Sequence, residues 1–127
     1  MGVYPVGPSG NLALVATTGP LGFTLQNATP TILGPWTAPN DGQLHRLFIY
    51  GELIVSSTQT GGIINLNIVD PQGTPRVRTI WSGALGAGFS IPNNGAQCTI
   101  QAGSQVTLVQ TAQTLGASVL FAELWAS

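Results

Sequence analysis

Charge is what this sequence has least of. Three arginines, no lysine and four acidic residues leave 6% of its 127 residues charged, against about 25% in an ordinary soluble domain. Arg76 and Arg78 are the only neighbouring cations, and two do not make the basic footprint that a phosphate backbone requires. Nucleic acid is therefore excluded as a partner. Long apolar runs are missing as well: Gly, Pro, Asn or Gln interrupts each one short of the roughly 20 residues a membrane-spanning helix needs. No membrane partner is expected. No apolar stretch follows a basic start, which argues against a secretory signal. Val6 stands where a myristoylation signal wants Ser or Thr. The lone cysteine, Cys98, excludes an internal disulfide. Its alternating surroundings assign it the role of a small buried hydrophobe.

Groups that do chemistry are scarce too. His45 is the only histidine, and neither an acid nor a nucleophile stands at a triad-like distance from it. A histidine at a strand start is an ordinary surface or hydrogen-bonding residue. Glu52 and Glu123 are the one conceivable glycosidase pair, yet both fall in apolar strand sequence. One His, one Cys and scattered acids form no metal set, and the turn at Asp70 lacks the carboxylates of a calcium loop. Gly83, Gly86 and Gly88 follow no βαβ pattern. No catalytic, cofactor-binding or metal-ligating residue is assigned, and the chain is not expected to be an enzyme.

What remains is a β-forming sequence, hydrophobic and punctuated by Gly and Pro. No segment has a helical period over ten residues. Residues 1–39 are Pro/Gly-rich, with short apolar patches at 12–16, 23–25 and 32–33, and read as an extended N-terminal arm. Such an arm either lies on its own domain or reaches across to a neighbour. Strands are expected at 44–56, 63–69, 76–81, 89–91, 97–100, 105–112 and 117–125. Asp70, Pro71, Gln72 and Gly73 make a hairpin turn between two of them. About eight strands with turn signals between them indicate an antiparallel sandwich or barrel.

Two strands depart from the usual polar-out pattern. In 44–56, Leu47, Ile49, Leu53 and Val55, with Gly51, form a core face, and the opposite face carries Arg46, Phe48, Tyr50, Glu52 and Ile54. In 117–125, Leu120, Ala122 and Leu124 face the core, and Val119, Phe121, Glu123 and Trp125 face away. Both outer faces set aromatics around glutamate. Either copies of the chain related by rotational symmetry cover this patch, or the N-terminal arm covers it within one chain. Scarce charge fits a chain that hides apolar surface by association, although Thr, Ser, Gln, Asn and Gly can also solvate a β surface.

The phrases Pro39-Asn-Asp-Gly-Gln-Leu-His-Arg-Leu-Phe-Ile-Tyr-Gly-Glu-Leu, Thr60-Gly-Gly, Thr99-Ile-Gln-Ala-Gly, Val106-Thr-Leu-Val-Gln-Thr and Ala122-Glu-Leu-Trp-Ala resemble small trimeric jelly-roll virion proteins of tailed bacteriophages. That group comprises capsid decoration (cement) proteins and related tail-fibre tips, and is similar to the tumour-necrosis-factor type of jelly roll. The resemblance spans residues 40–127, taken as the jelly-roll β-sandwich domain. It implies an all-β antiparallel jelly roll, a homotrimer, and a non-enzymatic role on the outer capsid surface of a virion, bound to the major capsid protein. The implied trimer interface is Arg46, Phe48, Tyr50, Glu52, Phe121, Glu123 and Trp125. The competing expectation is a receptor- or glycan-binding fibre tip, or a free lectin, with Trp36, Trp81, Trp125, Tyr4 and Tyr50 offering ring faces to sugars.

Overall fold

Alternation of apolar and polar residues becomes ten antiparallel strands in the computed structural model, which describes residues 12–24, 31–55, 63–82, 89–91, 97–111 and 118–127. For Leu53, Val55, Trp81, Ser82, Phe89, Ser90, Ile91 and Ser118 only the backbone is described. The strands are β1 (Ala13–Thr17), β2 (Phe23–Thr24), β3 (Thr31–Thr37), β4 (His45–Val55) and β5 (Ile63–Val69). They continue as β6 (Pro75–Ser82), β7 (Phe89–Ile91), β8 (Gln97–Ile100), β9 (Gln105–Thr111) and β10 (Ser118–Ala126). No helix occurs among the described residues.

One sheet runs β1-β10-β4-β7, with β2 also on β10 and β8 also on β4; the other runs β3-β9-β5-β6. Because β4 occupies one edge of β10, β1 and β2 lie end to end along the other. By the same reasoning β7 and β8 share the free edge of β4. The ten segments thus fill eight lanes, which accounts for the expected number of strands. Numbered along the chain, the lanes read 1-8-3-6 in one sheet and 2-7-4-5 in the other. That is the jelly-roll order.

The described residues of the segment expected as an arm, 12–24 and 31–39, supply strands to this sandwich. β1 pairs with β10 and β3 with β9, so the described part of the proline-rich segment supplies lanes to both sheets. Its prolines argued against long strands, and β3 shows how one is tolerated. β3 is an edge strand, where a missing N–H need cost no ladder bond. A bulge between Leu33 and Trp36 takes up the Gly34–Pro35 step, whose peptide is cis.

Between the sheets, Leu47, Ile49, Leu120 and Leu124 meet Ile64, Leu66, Ile68, Val106 and Leu108, all buried. Each such side chain contributes about 1.5–3 kcal/mol. The β5–β6 hairpin closes as its sequence foretells. Gly73 N donates to Asp70 O at 2.8 Å, and Gly73 has φ +89°, the left-handed geometry of a type I turn continued by a bulge. At the same end, Ala38 N donates to Ser104 O at 2.8 Å and Gly103 N to Ala38 O at 3.2 Å, tying β3 to the β8–β9 turn.

Gly51 carries a different constraint. It sits opposite Ala122, and an added Cβ would collide with the Phe121 carbonyl oxygen, with Ala122 Cα only 2.9 Å away. Backbone atoms of a paired strand cannot step aside. Gly51→Ala is expected to lower stability by about 1–3 kcal/mol, read as a shift in the urea midpoint.

Candidate functional site

The register of β4 against β10 assembles the residues singled out from sequence. Phe48 lies opposite Trp125, Tyr50 opposite Glu123 and Glu52 opposite Phe121. Opposite residues in an antiparallel ladder point to one side of the sheet, so all six occupy the outer face of the first sheet. Arg46 belongs to the same face at its end and is the Cα partner of Thr99. β1 extends the face, with Leu14 beside Trp125 and Thr17 beside Glu123.

Alternation gives β4 and β10 a dry inner face: Leu47, Ile49, Leu120, Ala122 and Leu124 are buried. Their outer aromatics Phe48, Tyr50, Phe121 and Trp125 are only half-buried, while Arg46, Glu52 and Glu123 are exposed. Leu14 and Ile54 add apolar surface, 45% and 47% exposed. The rings of Phe48 and Tyr50 stack with centroids 6.1 Å apart. Trp125 Nε1 donates to Glu123 Oε1 at 3.1 Å.

Of the two covers expected for this face, the described part of the arm does not provide one. β1 and β2 take the edge of β10, and only the turn between them leans over the face, with Gly22 against Val119 and Phe121. Residues 1–11, including Tyr4, lie outside the described residues. Between that turn and the two long strands runs a shallow groove of about 710 Å³, lined by Leu14, Thr18, Tyr50, Glu52, Phe121 and Glu123 among others. Glu52 and Glu123 stand diagonally across the β4–β10 ladder, roughly 7–8 Å apart at the backbone. Both side chains are exposed.

The outer face of the opposite sheet mixes polar side chains with the exposed valines Val69 and Val77. Asn65 and Asn67 alternate with the buried Ile64, Leu66 and Ile68, and Thr79 Oγ1 donates to Asn65 Oδ1 at 2.9 Å. Among the other ring candidates, Trp36 packs against the core.

Two features escaped the sequence. Arg76 and Arg78 are the Cα partners of Ile68 and Leu66, so they leave the edge strand β6 on its core-facing side. Arg76 Nη2 donates to Thr99 O on β8 at 3.4 Å, and its Nε lies 3.7 Å from Asp70 Oδ1. Two arginines thus stand at the rim between the sheets, and their shared parity with Ile80 was the available signal. His45, in turn, is buried at the start of β4. Its Nδ1 lies 2.7 Å from Ser127 O and its Nε2 3.0 Å from Asp41 Oδ1. The bond to Ser127 and the neighbouring Asp41 raise its pKa above 6.5, against the opposing effect of burial. Asp41 is held below 3.8, chiefly by the Gln43 N–H.

Among the described residues no cluster of His, Cys, Asp and Glu is suited to a metal, and no helix is long and apolar enough to cross a membrane. No family model and no curated protein matches the chain. Among solved structures it is similar to a chain in the structure of infectious bursal disease virus, Gx strain, at 14% identity and a TM-score of 0.38. The match covers 99% of this chain, which spans 36% of the length of the other.

Cys98 packs against the core beside Leu47. Burial pushes its thiol above 9.0, with Arg78 and Arg76 pulling the other way. Since the thiolate is the reactive form, Cys98 should react with a disulfide reagent at pH 7.5 at least tenfold more slowly in the folded protein than in urea.

Proposed function

We propose that this chain is a non-enzymatic structural subunit of a virus particle, and more finely a capsid decoration protein of a tailed bacteriophage that acts as a homotrimer. The observation that carries the reading is the outer face of β4 and β10. Four aromatic rings there stay half-exposed in a single chain, flanked by Leu14 and Ile54. Covering each large apolar group would recover a share of the roughly 1.5–3 kcal/mol that full burial is worth. Closed rotational symmetry covers the same patch on every copy. The phrase-level resemblance of residues 40–127 and the low charge favour the same assignment, and the jelly roll accommodates it.

In this role the work is mechanical. A trimer on the outer capsid surface, seated where copies of the major capsid protein meet, binds several of them at once. Multivalent attachment lets weak single contacts add up to tight binding. No cofactor takes part.

Glycan recognition by a fibre tip or a free lectin is the second reading, favoured by the groove in which Tyr50 and Phe121 stand beside Glu52 and Glu123. The two readings compete for one surface, because a face buried between copies has no room for a sugar.

Light scattering of the purified protein should give three times 13.1 kDa; a monomer at micromolar concentration overturns the trimer. Tyr50→Lys or Phe121→Lys should dissociate it, whereas Asn65→Lys, on the opposite sheet, should leave it intact. Co-sedimentation with capsids lacking the protein is expected. Binding to a glycan array without capsid binding would select the second reading.

A further inference from the structure

His45 is nearly enclosed at 5% exposure, and each of its ring nitrogens faces an oxygen. Ser127 O, the main-chain oxygen of the last residue in the sequence, accepts only, and Asp41 Oδ1 accepts as a carboxylate oxygen. A neutral imidazole has one N–H and one lone pair, so it can satisfy one of these oxygens and must turn its lone pair toward the other. An imidazolium donates to both. The pair of acceptors therefore specifies the charged ring.

The two acceptors differ in what they can do when the proton leaves. Ser127 is clamped: its N donates to Arg46 O at 3.0 Å and its Oγ accepts from Arg46 N at 2.8 Å. The Asp41 side chain is 42% exposed and can turn to water. Asp41 Oδ1 also accepts from Gln43 N at 3.0 Å, so its departure would remove a brace of the 39–44 loop. That loop carries Leu44, 69% exposed, and with Gln101 and Ala102 borders a hollow of about 290 Å³.

We propose that His45 is a proton-operated latch on the 39–44 loop: charged, it holds Asp41 inward and shapes this end of the sandwich; neutral, it keeps Ser127 and releases Asp41. The proton goes from Nε2 to solvent, and Nδ1 keeps its bond to Ser127 O. Among the described residues, the charged groups facing the ring are Asp41 from the loop and the α-carboxyl of Ser127, the last residue of the sequence. Ser127 follows β10 directly, and on β8 the Cα partner is Ile100, which does not titrate. Arg46, next along β4, sits on the opposite face by alternation. The inference is independent of what covers the aromatic face.

The sign follows from the contacts. Both raise the folded pKa of His45 above 6.5, so their stabilisation is complete below about pH 6.5 and is lost as pH rises through the folded value. NMR titration tests the latch through ring and backbone together. His45 Nε2 should titrate with a midpoint above about 6.5, and the Gln43 amide should shift with the same midpoint, while the Ser127 amide moves far less. Asp41→Asn, which keeps an acceptor but removes the charge, should lower the midpoint and shrink the Gln43 response. A midpoint unmoved by Asp41→Asn, or a Gln43 amide indifferent to the ring, overturns the proposal.

Discussion

The ladder between β4 and β10 is the constraint on which this molecule rests. It joins Leu47–Val55 to 118–126 as nine consecutive residue pairs without a break in register, and it places β10 in the interior of its sheet. Gly51 lets the two backbones meet where a Cβ would obstruct them. Because side chains alternate, one register sets both faces at once: the dry one with Leu47, Ile49, Leu120 and Leu124, and the aromatic one with Phe48, Tyr50, Phe121 and Trp125. A slip of one residue would exchange them. The core and the candidate interface are therefore two results of a single pairing.

From β4 onward the strands lie within a residue or two of where alternation and turn chemistry put them. Those signals are local. Pro71 and Gly73 have their turn geometry wherever the hairpin is found, and Ile64, Leu66 and Ile68 require one inner face whatever covers it. The first 39 residues were harder, because proline argues against strands without saying whether a strand lies at a sheet edge. β3 lies at one, and so Pro35 is accommodated. For the candidate site, the two unusual faces were legible, but which residues stand opposite each other was not. Register joins residues about 70 apart in the chain, and the link from His45 to Ser127 spans 82. No spacing rule reaches that far.

The scarcity of charge gains meaning from where the charges are. Asp70, Arg76 and Arg78 gather at the β5–β6 hairpin and the rim, where charges turned toward the core side of an edge strand discourage pairing with another chain. Asp41 stands against His45. The other three, Arg46, Glu52 and Glu123, share the outer face of the first sheet with the aromatics. The opposite sheet meets water with Asn and Thr side chains and with the exposed valines Val69 and Val77.

The position of β10 also has a temporal side. It is the eighth lane by chain order yet lies between the first and the third, so a nascent polypeptide with its first 117 residues made would still hold a gap between β1 and β4. Contacts this distant in sequence form slowly, and a ribosome must deliver residues 118–126 before the gap can close. Productive folding thus waits for β10. Until then β4 has a bare flank, with Ile49 and Phe48 awaiting the strand that will separate them into inside and outside.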